Sequence, residues 1–274
     1  MPYALNELGA VTLLSGAFTE AETIRYARNM LLREIGPEGQ RKIRKSSVLT
    51  VGAGGISSAS LYYLAAAGIG RLGLVDDDHV ELSNLQRQIL HGTSDIGRLK
   101  VDSAKDAIIR LNPHCKVDTW PVRLDETNAS DIIRQYDFIL DGSDNFHTRY
   151  IVADTCYCEK RWLIWASAVG FEGLLFAVHP GIGEPCLRCL APDMPGEGNA
   201  PVCRETGILG AVAGVMGSLQ AIETLKLIID AGEDMASRLL AYDALRSRFT
   251  ILNREPDPAC PICGSQAGDV RVNT

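Results

Sequence analysis

The chain has 274 residues, 46% of them hydrophobic and 22% charged, with a formal net charge of -7. Such a composition supports an ordinary globular core of one large α/β domain or two small ones, and its acidic balance argues against the basic footprint of a nucleic-acid binder. The opening "MPYALNELGAVTLLSGAFTE" lacks a basic n-region and carries acids early, so no secretory signal is expected and the expected location is cytoplasmic.

Residues 1–19 read as a loosely attached leader and 20–274 as a single domain. "FTEAETIRYARNMLLREIG" is predicted helical: Thr19 can cap, Glu22 stands at capping-box spacing, and Gly36-Pro37 stops it. "PEGQRKIRK" gives a second short helix with its basic residues near the C-terminal end, where the helix dipole favours them. Val48–Val51 is a buried strand, Ile56–Ala67 a helix and "RLGLV" a second strand. This strand–glycine loop–helix–strand unit opens a doubly wound, Rossmann-like α/β sheet that is mainly parallel. The stretch "GRLKVDSAKDAIIRLNP" is predicted helical, with Val101, Ala104, Ile108 and Leu111 on one buried stripe. Strand "CKVDTWPV", helix "NASDIIRQ" and buried strand "YDFIL", ending at Asp141, come next.

After Tyr150 the pattern changes. "RWLIWASAVGFEGLLFAVHP" reads as two strands about a tight turn at Gly170, so the sheet ends with antiparallel strands. Residues 181–204, rich in Gly, Pro and Cys, should be irregular. The greasiest stretch, "GILGAVAGVMGSLQAIETLKLII", is interrupted by Gln220, Glu223 and Lys226 and reads as a buried helix rather than a membrane span. Its glycines at 207, 210, 214 and 217 permit close packing in the core or between two copies. "RLLAYDALRSRFTILN" closes the fold with two strands.

"VGAGGIS" places Gly52, Gly54 and Gly55 between a strand and a helix, where backbone N–H groups can approach a phosphate at a helix N-terminus. Asp76, ending the next strand, is the expected ribose acceptor. The loop alone separates neither NAD from ATP nor a ligand site from a structural glycine turn, and the Gly-Lys-Ser/Thr of a P-loop is absent. The residues after Asp76 tip the balance. "DDDHVELSNLQRQIL" sets Asn84, Gln86, Arg87 and Gln88 just beyond the acids. A nicotinamide enzyme needs no such donors, whereas a guanidinium fork flanked by amides suits phosphate oxygens gathering charge in a transition state. Lys100, in the first turn of its helix and off the apolar stripe, is a third cationic candidate; lysine there opposes the helix dipole, and a nearby polyanion would explain it. In "DGSDNFHTR", Asp141 and Asp144 stand at the carboxyl end of a strand, the edge where open α/β sheets hold ligands. Asp144 can hold Mg²⁺ together with substrate phosphates; the competing reading is an Asx-turn capping the next helix.

Among the eight cysteines, Cys186-x-x-Cys189 and Cys260-x-x-Cys263 form two pairs, the complement of a closed tetrahedral Zn²⁺ site tying the irregular region to the C-terminal segment. Cys115, Cys156 and Cys158 read as buried filler, and the five histidines show no ligand spacing.

Taken in order, "RYARNMLL", "VGAGGIS", "VDDDHVELSNLQRQ", "GRLKVDSAKDAIIRLNP", "DGSDN", "GEPCLRC" and "CPIC" resemble the ThiF/MoeB/HesA adenylyltransferases, bacterial relatives of ubiquitin-activating enzymes, over roughly residues 22–264. The resemblance implies ATP and Mg²⁺, and adenylation of the C-terminal Gly-Gly of a small ubiquitin-like sulfur-carrier protein. It implies that Gly52, Gly54 and Gly55 form the nucleotide loop and that Asp76 holds the ribose. Asn84, Arg87 and Lys100 would clamp phosphates, and Asp144 would carry Mg²⁺ with Asn145 beside it. Arg28 would reach the partner subunit's site, which implies a homodimer. It also supports zinc at the four paired cysteines. Cys203 matches a cysteine that some members use to form a thioester or acyl-disulfide with the carrier, and its place near a helix N-terminus and Arg204 favours the thiolate. Two departures stand out: Ser57 replaces a usual glycine, and "GSDN" stands where "CTDN" is common. With no sulfurtransferase domain after Cys263, the sulfur donor is expected to be separate. No nucleic-acid or membrane partner is expected. A nicotinamide oxidoreductase and a non-catalytic carrier-binding scaffold remain the rival readings.

Overall fold

Short apolar runs that end in glycine or aspartate form the centre of the sheet, and helices cover both sides. A computed structural model describes residues 18–179, 184–194 and 207–264. The elements run α1 (Glu20–Met30), α2 (Gly36–Lys45), β1 (Ser47–Val51), α3 (Gly55–Ala67), β2 (Arg71–Val75), α4 (Lys100–Leu111), β3 (Lys116–Trp120), α5 (Ala129–Ile133) and β4 (Phe138–Asp141). After these come α6 (Phe146–Cys158), β5 (Trp162–Val169), β6 (Glu172–Val178), α7 (Leu187–Leu190), α8 (Gly210–Ile229), β7 (Arg238–Asp243) and β8 (Arg248–Asn253).

All eight strands join one sheet in the order β3-β2-β1-β4-β5-β6-β7-β8. Strands β3 through β5 are parallel and β6 through β8 antiparallel, as the sequence predicts. Val51 pairs with Val75 on one side and Asp141 on the other, so the chain leaves three neighbouring strands at one level. That register makes a single ledge of Gly52, Asp76 and the residues after Asp141.

Alternate residues of the central strands feed opposite cores. Leu49, Val51, Ile139, Leu163 and Trp165 pack with α5 and α6. Val48, Leu72, Leu74, Leu140 and Ile164 pack with α2, α3, α4 and α8. The long apolar helix α8 is the one described helix long and apolar enough to cross a membrane. Here it lies across α3 and strands β5 and β6. Its Gln220 is fully buried: Nε2 donates to the carbonyls of Asp141 and Ile164, while Oε1 meets no donor among the described residues. Gly217 faces α3 so closely that an added Cβ would stand 2.0 Å from the Ile56 carbonyl oxygen, whereas Gly214 meets nothing within 4 Å.

Several expectations are adjusted. Helix α1 carries the predicted Thr19–Glu22 capping box but ends at Met30, well short of Gly36, which opens α2. Phe18 packs edge-on to Tyr26 at 6.4 Å, so the packed structure includes the end of the expected leader; residues 1–17 lie outside the described residues. Leu111 is exposed rather than on the buried stripe of α4, because it is the last helical residue; Ala107 is buried in the stripe. Helix α6 runs on to Cys158. Its two faces are both largely buried, so it lacks the one-sided periodicity that marks a surface helix.

Candidate functional site

The ledge opens into two adjoining solvent-open hollows that share Gly52, Asp76, Asp78, Ser143 and Asp144; counting the open space at their mouths, the larger holds about 710 Å³ and the smaller about 640 Å³. They form one cleft along the carboxyl edge of the sheet, where strand order and loop geometry leave backbone donors facing outward.

The glycine loop forms one wall. Gly52 has φ +86, a left-handed conformation that favours glycine, and a Cβ there would press on the Gly142 carbonyl at 3.1 Å. Gly52 and Ala53 give their N–H groups to the Val75 carbonyl and to Asp76, so the N–H groups left to face a ligand are those at the start of α3. Asp76 braces the loop: Oδ2 accepts from the Ala53 N–H at 2.7 Å and Oδ1 from the Asp78 N–H at 2.8 Å. Burial raises the Asp76 pKa above its ordinary value, against the opposing pull of Lys100 and these two N–H groups. From the other side, His91 contacts the Ala53 carbonyl through Nε2 at 3.1 Å and Ser103 Oγ through Nδ1 at 2.8 Å, with its pKa held down by burial. Ser57, the departure from the glycine fingerprint, is fully buried; a Cβ at Gly142 would meet its Oγ at 2.3 Å, so a glycine there makes room for it.

Arg87 and Lys100 line the larger cavity, as expected. Arg87 rests its Nη1 on the Ser83 carbonyl at 3.1 Å. Its backbone lies so near Gly210 that a Cβ at 210 would stand 3.0 Å from the Arg87 Cα, which fixes the arginine between the starts of α3 and α8. Lys100 is buried and pairs with Asp78 Oδ2 at 2.7 Å. That carboxylate accounts for a lysine at a helix N-terminus without any bound anion. Asn84 and Gln86 are not among the cavity-lining residues. Asn84 is buried and closes the turn at 82–84 by accepting the Glu81 N–H at 3.1 Å, while Gln86 is exposed. Gln88 does line the cavity, buried, with Oε1 unpartnered.

Asp144 is exposed and faces both cavities. No donor among the described residues holds its carboxylate. The helix-capping role belongs to Asn145, whose Oδ1 accepts the Thr148 N–H at 2.9 Å. An unpartnered carboxylate beside a phosphate-sized cleft suits a divalent cation. Asp141 is instead fully buried, its pKa raised by burial, and turns back to accept the Ser143 N–H at 2.9 Å. Arg149, on α6, also lines the larger cavity and was not singled out from the sequence. Its only sequence signal is its place at the end of "DGSDNFHTR".

Away from the cleft, Cys186, Cys189, Cys260 and Cys263 bring their sulfurs within 4.8 Å of one another. Burial pushes the Cys186 thiol far up and that of Cys263 up to about 12, whereas at Cys260 hydrogen bonds from the Cys263 and Ile262 N–H groups outweigh burial and pull the thiol down. Four convergent thiols of this kind can hold zinc. Buried Arg254 buttresses the cluster by donating to the carbonyls of Pro185 and Cys186. Arg28 is exposed on α1, and Cys203 lies outside the described residues.

A model of the ThiF family matches residues 26–262. The sulfur carrier protein adenylyltransferase of Thermus thermophilus is 44% identical over 253 residues, an alignment covering 91% of this chain and 93% of that protein. The SAMP-activating enzyme E1 of Haloferax volcanii is 42% identical over 245 residues, covering 89% and 90%. Among solved structures, E. coli MccB with MccA-N7isoASN gives a TM-score of 0.79 at 22% identity, covering 91% of this chain and 77% of that one. At that identity the likeness is one of fold.

Proposed function

From the premise that the chain belongs to the ThiF family, we propose that it adenylates the C-terminal carboxylate of a small ubiquitin-like carrier ending in Gly-Gly, readying it for conversion to a thiocarboxylate. Membership sets aside the nicotinamide reading of the glycine loop. The observation that carries the proposal is the Asp144 carboxylate, held by no donor among the described residues and set in one cleft with Arg87, Lys100 and the N-terminus of α3. The smaller cavity, with Val122 and Leu124 near Asp76, suits a nucleoside. The larger one suits a triphosphate and the tail of an acceptor.

In the proposed reaction a carboxylate oxygen of the carrier attacks the α-phosphorus of ATP in line. A new P–O bond forms, the bond to the bridging β-phosphate oxygen breaks, and pyrophosphate leaves with its electron pair. Charge gathering on the equatorial oxygens meets the N–H groups at the start of α3, the Arg87 guanidinium and the Lys100 ammonium, all fixed before reaction. Mg²⁺ held at Asp144 would neutralise phosphate charge. Arg28, on the exposed face of α1, would complete the cleft of the other subunit in a homodimer. The sulfur of a separate donor then attacks the acyl carbon and AMP leaves; alternatively the Cys203 thiolate displaces AMP first, and the donor sulfur then displaces the Cys203 thiolate. Zinc at the four cysteines has a structural role, since a closed thiolate set leaves no open position.

ATP–pyrophosphate exchange dependent on a Gly-Gly carrier tests the reading. Asp144→Ala should lower the exchange rate on the order of a hundredfold or more. Undiminished exchange in that variant removes the assignment of Asp144.

A further inference from the structure

Among the described residues three cations line the larger cavity, and the proposed chemistry uses two of them. The third, Arg149, enters from a different direction. Arg87 and Lys100 belong to the side of the sheet covered by α3 and α4, whereas Arg149 rises from α6, on the opposite face. Along the ledge the strand order is β2-β1-β4-β5. Asp76 comes after β2, the glycine loop after β1 and Asp144 after β4. Arg149 is stacked 5.0 Å over the ring of Trp165, in β5. It therefore lies beyond Asp144, at the end of the cleft farthest from the ribose acceptor. Ala168, also in β5, and Ile208, which bridges to Gly170, give that end an apolar lining.

The guanidinium is held in place before any ligand arrives. Its Nε and Nη2 both donate to the Ser143 carbonyl, at 3.2 and 2.9 Å, and the Phe146 ring lies 5.5 Å from its Cζ. Nη1 bonds to nothing among the described residues. One edge of the fork is thus fixed to the loop that carries Asp144, while Nη1, on a residue that lines the cavity, keeps its donors unspent among the described residues. A fixed cation with a spare donor, separated from the phosphate donors by the cation-binding carboxylate, suits a second anion that must approach a polyanion. In a reaction between a carboxylate and a triphosphate, that second anion is the attacking carboxylate.

We propose that Arg149 receives the C-terminal carboxylate of the acceptor and holds it facing the α-phosphorus, while bracing the Ser143–Asp144 loop. This rests on the adenylation reading above. Because the apolar lining lies on the same side, the acceptor tail enters over β5, from the antiparallel half of the sheet.

The test is a double-substitution cycle between the arginine and the carboxylate. A Gly-Gly carrier that supports exchange with the wild-type protein is compared with the same carrier made as a C-terminal carboxamide, for wild type, Arg149→Gln and Arg149→Lys. ATP affinity is measured alongside in the absence of carrier. Wild type should bind the carboxylate form on the order of tenfold or more tighter than the carboxamide. Arg149→Gln should lose that preference while its affinity for ATP stays within about twofold, and Arg149→Lys should keep part of the preference. If Arg149→Gln does not fold, Arg149→Lys decides: a preference undiminished from wild type overturns the proposal. So does full preference in Arg149→Gln, or a loss of ATP affinity with the preference intact, which would make Arg149 a phosphate ligand. A wild-type protein that binds ATP but shows no exchange with any Gly-Gly carrier would sink the adenylation reading, and this inference with it.

Discussion

Gly217→Ala and Gly214→Ala make the same chemical change in the same helix and should shift stability in opposite directions. At Gly217 the new methyl would stand 2.0 Å from the Ile56 carbonyl oxygen and 3.0 Å from the Ala59 Cβ, far inside the 3.4 Å at which ordinary contact begins. Helices α3 and α8 would have to part by more than 1 Å, estimated from that shortfall, and overpacking of this kind costs about 1–3 kcal/mol. For a chain of 274 residues that is a fall in Tm of roughly 2–5 °C. At Gly214 the methyl enters open space, and replacing a helical glycine by alanine should add about 0.5–1 kcal/mol. Function separates the two further. Ile56 lies in the first turn of α3, directly after Gly54 and Gly55, so the displacement at 217 is passed to the donors of the nucleotide loop. Gly217→Ala should therefore weaken ATP binding, and Gly214→Ala should not. Thermal and urea unfolding give the stabilities, and calorimetric titration with ATP gives the affinities. If the two variants unfold together, or if Gly217→Ala loses stability while keeping wild-type ATP affinity, the proposed mechanical link between helix crossing and loop is wrong.

Two further outcomes concern other parts of the molecule. Metal analysis should find about one zinc per chain, and a strong chelator should remove it with a loss of thermal stability; Cys260→Ser should purify without zinc. A Cys260→Ser protein with a full complement of zinc would contradict the four-sulfur assignment. At the N-terminus of α1, burial works to raise the Glu22 pKa, but two hydrogen bonds with Thr19 and the charge of Arg44 prevail and hold it below its ordinary 4.5. A depressed carboxylate contributes stability that is present above the unfolded-state pKa and lost as pH falls through the folded-state value. Thr19→Ala should cost about 1 kcal/mol near neutrality, and its difference in Tm from wild type should begin to narrow below pH 4.5 and close as the pH falls through the lower pKa of Glu22 in the folded protein. A gap that stays constant from neutral pH into acid would show that the cap acts without the carboxylate.

Much of this protein is written in local pattern. The apolar runs around "VGAGGIS", the capping box at Thr19 and Glu22, and the two Cys-x-x-Cys pairs each rest on spacing along the chain, and spacing is what a sequence states directly. The parallel centre and antiparallel end of the sheet are legible from where helices alternate with strands and where they stop doing so. Which side chains meet in the cleft is decided elsewhere. In "SNLQRQ" the donors look interchangeable, yet the turn at 82–84 buries Asn84 as a brace, leaves Gln86 exposed and brings Arg87 and Gln88 to the cavity. Residues two apart in such a turn point in unrelated directions, and only the packing of α8 against Arg87, through Gly210, selects which pair faces inward. Lys100 offered an ammonium, but its partner Asp78 became evident only in three dimensions. Arg149 was hidden because α6 is buried on two sides, so no stripe announced the helix, and its neighbour Trp165 belongs to the next strand. The sequence by itself determined the elements and the chemistry available; the tertiary structure decided which of those groups share one cleft, because direction in space depends on contacts between segments that lie far apart in the chain.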